Sequence, residues 1–565
     1  MHVDRNSDAR NALGAHAVVR QARLRWLAVC TALLAMPWTL TATAARCYVN
    51  GAAVGANSGV SWTDSYIDLQ SALTNANCAE VWVAQGVYKP TATTNQAISF
   101  NVGPNVAVYG GFSGSEASLD ARNPAAHVTV LSGDIDNNDA SVNGIDADAT
   151  KIAGGNSHHI VVMDGTASTP ITATTILDGF TLTGGDNTNS ITGEGGGALW
   201  CKGNGAGHAC SPTLATLVFS GNKAKYGGAI ALQGYSGGAS NPTLTNVTFS
   251  GNSAGFFAGA LYNNAQGGTC SPTLTNVTFS GNSSIGAPAF GGAMFDDGGG
   301  GTSSPTLTNV TFSGNSASSA GGAVMINGAT GTNSPTLNNV TFNDNQVAGG
   351  DGGALYISGS STSSVTATNV TFYHNSANAG NGGAIYHSGK NGDFSLTMYN
   401  ATFNSNSANI GGALYNVGSN SYPFLFSSIV WGDSASTSSP EFAHAPSDGG
   451  IGLYFSIIEN GCAVSNCSSG PNDSNLTGNP VLGPLADNGG FTRTMMPGAG
   501  SAAINVLPCD GITHRLPLTD QRGAVRPDSA STGSTRCDIG AVEANSLPGD
   551  LIFAARFGSS TWDDF

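Results

Sequence analysis

Charge is scarce in this sequence. Asp, Glu, Lys and Arg together make up 10% of its 565 residues, well under half the usual quarter. The 19 basic residues are outnumbered by 35 acidic ones. So few Lys and Arg exclude an electrostatic footprint for nucleic acid, and no basic run is long enough to hold an anionic lipid surface. The shortage of Lys, Arg and Glu also excludes a coiled coil or helical bundle. There is no C-x-x-C pair and no Cys/His group at zinc-ligand spacing. No nucleophile motif, phosphate loop or nucleotide fingerprint appears. Glycine, by contrast, is abundant: 79 residues, roughly twice average usage and without the every-third-residue repeat of collagen. A hydrophobic fraction of 40% excludes a disordered chain, which combines low hydrophobicity with high charge. What remains is a globular chain rich in Gly, Ser, Thr and Asn, which favours strands and turns.

Long apolar runs are absent apart from one. Trp26 to Leu40 is mostly apolar, follows Arg20, Arg23 and Arg25, and precedes the small residues Ala42-Thr43-Ala44. This is the pattern of a secretory signal over residues 1–44, too short for a comfortable membrane span. No other run could cross a bilayer as a helix, so no transmembrane helix is expected after cleavage. Export permits disulfides. Cys30 lies in the signal, and the simplest local pairs among the rest are Cys47/Cys78, Cys201/Cys210, Cys462/Cys467 and Cys509/Cys537. Cys270 is left over; spacing alone does not fix connectivity.

An internal repeat decides the fold class. A segment of the form SPTLTNVTFSGN recurs, with its phenylalanine at Phe219, Phe249, Phe279, Phe312, Phe342, Phe372 and Phe403, in steps of 30 to 33 residues. An asparagine follows each by three: Asn222, Asn252, Asn282, Asn315, Asn345, Asn375 and Asn406. A second motif, Gly-Gly-Ala-aliphatic, runs in phase, with one copy reading Ala258-Gly259-Ala260. The Thr/Val/Phe content favours strands. The second copy offers three short strands, Thr243-Leu244, Val247–Phe249 and Ala260–Tyr262, with corners at Asn246 and Gly251-Asn252, residue types that tolerate left-handed backbone. Three strands and three corners per period predict one coil of an all-β, right-handed parallel β-helix, each coil about 4.8 Å above the last. The phenylalanines then stack as an aromatic ladder through the core and the asparagines as an amide ladder at one corner. The organisation that follows is a signal (1–44), irregular N-terminal coils (45–190), regular repeats (191–430), a capping region (431–545) and a sorting tail (546–565).

The paired FxxN and GGA[ILMV] motifs of residues 196–416 resemble the repeats of chlamydial polymorphic outer-membrane proteins, which are surface β-helix passengers implicated in adhesion. Residues 62–139 are similar to bacterial secreted right-handed β-helix proteins. The stretch TDQRGAVRP…CDIGAVE (519–543) is similar to their choice-of-anchor region. The resemblance implies an exported protein, extracellular or at the outer-membrane surface of a Gram-negative-type bacterium. Chlamydial members end in a large outer-membrane barrel. Only 22 residues follow Glu543 here, too few for eight or more strands, so self-insertion is not expected.

Candidate sites are few. Residues 211–430 contain no Glu and no Arg, and only eight charges, which argues against the carboxylate chemistry of polysaccharide-cleaving β-helix enzymes. Asp296-Asp297 reads as loop. Asp134, Asp136, Asn138 and Asp139 resemble the start of a calcium loop without its glycine and terminal Glu, and calcium is the one cofactor the sequence could take. His158-His159 sits beside a strand-like run. The residue after each Gly-Gly-Ala-aliphatic motif forms a column: Trp200, Ala231, Tyr262, Phe295, Met325, Tyr356, Tyr386 and Tyr415. If the aliphatic neighbours point inward, the aromatic ones (Trp200, Tyr262, Phe295, Tyr356, Tyr386, Tyr415) point outward and offer a binding stripe for sugar rings or a protein partner. The reading is a monomeric, adhesin-like β-helix scaffold. The alternatives are a secreted polysaccharide lyase or hydrolase with its site in the N-terminal coils, and a structural envelope or matrix protein.

Overall fold

The computed structural model describes residues 45–189, 195–328, 330–360, 363–391, 395–418, 421–445, 450–462, 467–469, 475–509, 516–527 and 535–546. The expected signal and sorting tail lie almost wholly outside them. The described chain is an all-β parallel solenoid of about 13 turns. One regular turn runs Thr243–Ser250 in a first sheet, Ser253–Phe257 in a second and Leu261–Asn264 in a third. The next turn repeats it in register, pairing Leu244 with Leu274, Val247 with Val277 and Phe249 with Phe279.

The corners form where left-handed backbone is tolerated. Asn246 has φ +55° and Gly251 φ +60°, as expected. Asn246, however, bends a single long strand rather than separating two faces. Thr243-Leu244 and Val247–Phe249 belong to one sheet, and the second sheet is a face that the motif does not announce. Its strands, such as Ser283-Ser284 and Ser316-Ala317, carry too little hydrophobic alternation to read as strands.

Leu, Val and Phe of the first sheet face the Ala and aliphatic residues of the third, all in one core cluster. The seven phenylalanine rings stack with centroids 4.6–5.0 Å apart and are fully buried. From Asn222 to Asn375 each asparagine of the inner ladder donates its amide to the Oδ1 of the next, at 2.9–3.0 Å, and from Asn252 onward also to the carbonyl of the phenylalanine one turn back, a place Leu182 takes for Asn222. The buried amides are thus satisfied without charge. A second, outer ladder links the bend residues Asn246, Asn276, Asn309, Asn339 and Asn369 at 3.0–3.2 Å.

The Gly-Gly-Ala pair has two separate reasons. The first glycine is left-handed in most copies, for example φ +63° at Gly321, and Ala258 adopts the same conformation at +57°. The second is a close approach: a Cβ on Gly322 would lie 2.0 Å from the Gly353 carbonyl oxygen of the next turn.

Upstream, Cys78–Ala84, Ala107–Phe112, Thr129–Ser132, Val161–Asp164 and Ile176–Asp178 build the irregular turns. A short helix, Leu69–Thr74, capped by Asp68, buries Leu69 and Ala72 in the core. Downstream, the stacking continues past Val430. Phe424–Phe426, Ile429–Trp431, Ile451–Tyr454 and Ile457-Ile458 add turns to the first sheet. The later C-terminal residues lie against the outer face of the first sheet. Arg493 accepts from Thr341, Gln521 bonds Thr341 and Thr371, and the Ala541 N–H donates to Thr402. All four expected disulfides form, and Cys270 is a buried free thiol.

Candidate functional site

The aromatic column is in register along the third sheet, from Trp200 through Tyr415. Its aliphatic neighbours enter the main core, so the column faces outward as the alternation requires. Exposure does not follow for its first half, and the expected open stripe is corrected there. Tyr262 and Phe295 are only 5% and 4% exposed. Phe257 stacks on Phe295 at 4.6 Å, Phe290 meets it edge-on at 6.5 Å, and Ala258 and Met325 complete a small separate core. The signal was present: Phe256-Phe257 and Phe290 stand just before the Gly-Gly-Ala positions, where a chain leaving the second sheet can fold over the third.

The second half is different. Tyr356, Tyr386 and Tyr415 stack face to face at 4.7 and 5.6 Å. Tyr356 and Tyr415 are half-buried, and Tyr386 between them is buried. Trp200, at the other end, is half-buried. It stacks on His159 at 4.8 Å, lies 4.7 Å from the Lys202 ammonium and donates its indole N–H to Gln233. His158 and His159 bond the carbonyls of Asp186 and Gly196 respectively, so the pair does not converge on one point.

The acidic loop is also redrawn. Asp134 lies 3.6 Å from the Lys89 ammonium and accepts the Asn138 N–H. Asp136 accepts from the Asn138 amide and the Gly155 N–H. Asp139 accepts from the Ala153 N–H and the Asn156 amide, both at 2.6 Å. It faces Asp146, a buried residue the sequence did not single out. Burial first, then the Asp139 carboxylate, pushes the Asp146 carboxyl up to about 7. No group of three or more His, Cys, Asp or Glu that could hold a metal ion is found among the described residues.

Two further carboxyl groups depart from expectation. Asp296-Asp297 is not loop but the end of the third-sheet strand Met294–Asp297, buried at 1% and 4% exposure. Asp296 points inward and accepts from the Asn263 amide, and burial pushes it up to about 7. At the C-terminal end of the inner ladder, Asp433 takes the asparagine position and accepts the backbone and amide N–H of Asn406, both at 2.7 Å. Glu441 takes the alanine position, its carbonyl accepting from Ala413 and Leu414. Asp433 Oδ2 and both Glu441 carboxylate oxygens are buried with no hydrogen-bond donor. Burial first holds both carboxyls well above the ordinary range; behind it, Glu441 is raised further by Asp433 and Glu459, and Asp433 by Glu459.

Four segments, residues 216–233, 309–327, 339–358 and 369–388, match the Chlamydia polymorphic membrane protein repeat. In these four segments the chain is similar to that repeat. Each match starts at the left-handed bend residue (Thr216, Asn309, Asn339 or Asn369), passes through the ladder phenylalanine and asparagine, and ends in or just beyond the third-sheet strand. The repeat is therefore one structural turn without its variable connection. Comparison with curated proteins gives no match. The repeats imply a β-helix protein associated with a cell surface or outer membrane. Among the described residues no helix is long and apolar enough to cross a membrane.

Proposed function

We propose that the protein is an exported scaffold displayed at the cell surface, binding carbohydrate or protein ligands in the manner of an adhesin. The observation that carries this is the set of polymorphic membrane protein repeats on a long solenoid of very low charge. Such a surface offers shape, hydroxyls and aromatic edges rather than acid–base groups. Tyr356 and Tyr415, on either side of the buried Tyr386, are the part of the aromatic column suited to a ligand, since half-buried rings present an edge and face to sugar or peptide at little ordering cost. The alternative hydrolase or lyase needs carboxylates that a sugar can reach. In the N-terminal coils Asp139 and Asp146 face one another, but Asp146 is 1% exposed.

Protease treatment of intact cells, compared with the culture medium, tests display. Release of the protein's peptides from the cell surface supports the proposal, and its presence only in the medium refutes the display part. A glycan and host-protein binding screen tests recognition. Tyr356→Ala and Tyr415→Ala should each weaken binding about tenfold, the equivalent of about 1.4 kcal/mol. Display without any ligand leaves the structural envelope role, and release of reducing sugar or unsaturated product from a polysaccharide sinks the scaffold reading.

A further inference from the structure

The loop between Asp134 and Asn156 bridges the irregular and regular turns. Ser220 donates to the Asp146 carbonyl, and the Ala149 N–H donates to the Gly251 carbonyl. Inside it, three polar groups crowd the space beside the Gly184 α-carbon. A Cβ placed there would lie 2.8 Å from Asp146 Oδ2, 3.1 Å from Asp139 Oδ2 and 3.4 Å from the Asn156 amide nitrogen. That nitrogen donates to both Asp139 Oδ2 and the Gly184 carbonyl, each at 2.6 Å. It therefore sits among oxygens, where a cation would sit. Two other atoms of the cluster are orphaned: Asn156 Oδ1, on a residue 0% exposed, and Asp146 Oδ1, on a residue 1% exposed, have no hydrogen-bond partner. A buried oxygen without a donor costs about 1–3 kcal/mol, and two carboxylates in contact repel. A half-turn of the Asn156 amide would exchange its two atoms and turn Oδ1 toward Asp139 and the Gly184 carbonyl, with Asp146 on the other side of the Gly184 α-carbon's free space. Without a cation that arrangement gathers four oxygens against one another. With one it is a coordination shell.

We propose that Asp139, Asp146, Asn156 and the Gly184 carbonyl form a calcium site that fastens the 134–156 loop to the first regular turns. The donors are all oxygen, which suits a hard cation. They mix carboxylate, amide and backbone carbonyl in irregular array, which suits calcium rather than magnesium with its strict octahedron and retained waters. Two carboxylates are a modest charge count, so the affinity falls in the range of weak extracellular sites, with Kd about 10⁻⁴–10⁻³ M. The set differs from the one the sequence pattern suggests: Asp134 is held by Lys89 and the Asn138 N–H, and Asp136 Oδ2 by the Asn138 amide and the Gly155 N–H.

Isothermal titration of calcium into EDTA-treated protein tests this, with Asp146→Asn and Asp433→Asn beside the wild type. Wild type and Asp433→Asn should bind alike and show a higher Tm in millimolar calcium than in EDTA. Asp146→Asn should bind about tenfold or more weakly, and magnesium should raise Tm less than calcium. Absence of calcium binding by the wild type overturns the proposal. So does unchanged binding by Asp146→Asn, and so does loss in Asp433→Asn alone, which would move the site to the C-terminal carboxyls. If Asp146→Asn does not fold, proteolysis of the wild type decides: cleavage within residues 134–156 should be slower with calcium than with EDTA, and equal rates overturn the proposal.

Discussion

At the scale of the residue, the fold rests on positions whose side chain, or lack of one, has a specific physical role. Asn282 donates its amide to the Phe249 carbonyl at 3.1 Å and to Asn315 Oδ1 at 3.0 Å, and its Oδ1 accepts the backbone and amide N–H of Asn252. Asn282→Ala deletes these bonds and strands buried groups on both neighbours. Each group left without a partner costs about 1–3 kcal/mol, so a loss of about 3 kcal/mol or more is expected, read as a lower urea midpoint. Two glycines eight residues apart separate conformation from space. Gly314 has φ +63° and nothing near its absent Cβ, whereas the Cβ of Gly322→Ala would meet backbone oxygen at 2.0 Å. Gly314→Ala should cost about 1–2 kcal/mol, the penalty of left-handed backbone. Gly322→Ala should fall in the rare class above about 4 kcal/mol, since two turns would have to part. Similar midpoints for the two variants would refute the distinction.

At the scale of the element, legibility followed repetition. The first sheet could be read because Leu, Val, Phe, Asn and Gly return every 30 to 33 residues, and each has a physical role a stack can repeat. The second sheet could not, because two-residue Ser/Ala pairings carry no alternation. The aromatic column was read with the right parity but the wrong exposure over Tyr262 and Phe295. What covers an outward face comes from a neighbouring turn, and Phe257 and Phe290 fall outside the repeat. The same holds for the threonine column of the first sheet. Thr278 and Thr311 are half-exposed, whereas Thr341 and Thr371 are buried beneath the C-terminal residues, with nothing in the motif to mark the change. A cap over the open end was the natural reading of an irregular C-terminus, and a segment laid along the side is the finding. Gln521 is its main anchor, bonding Thr341, Thr371, Thr492 and the Val340 carbonyl. Gln521→Ala should strand Thr371 and the Val340 carbonyl and cost about 2 kcal/mol or more. Limited proteolysis should then cut the chain after residue 475 sooner, with the repeats still intact. Simultaneous loss of both regions would mean that the segment is no separate element.

At the scale of the whole molecule, a solenoid's stability is close to a sum over turns and the interfaces between them, so opening starts at an end. The C-terminal end has a chemical peculiarity. Asp433 can close the inner ladder because the last rung need only accept hydrogen bonds, and Asn406 supplies them. Its other oxygen faces Glu441, which is 1% exposed where other turns place alanine, and Glu459 adds a third carboxyl while bonding the Gly432 N–H. His444, half-buried on the adjoining strand, bonds the Ala445 carbonyl instead. Burial and the neighbouring carboxylates outweigh the hydrogen bonds that favour the ionised form. Both Asp433 and Glu441 therefore bind their protons more tightly folded than unfolded. Stability from this source is complete below the ordinary carboxylate value of about 4 and is lost as pH rises through the folded values, about 7 for Asp433 and higher for Glu441. Each unit of raised pKa is about 1.4 kcal/mol, so the cluster is worth on the order of a few kcal/mol between mildly acidic and alkaline solution. Asp146 and Asp296 act in the same direction, so the assignment needs a variant. Glu441→Ala, which restores the residue of the other turns, should raise Tm in alkaline buffer, flatten its decline with pH and slow hydrogen exchange at Asn406 and Ser434. If Tm falls as steeply in Glu441→Ala as in the wild type, the weak end lies elsewhere.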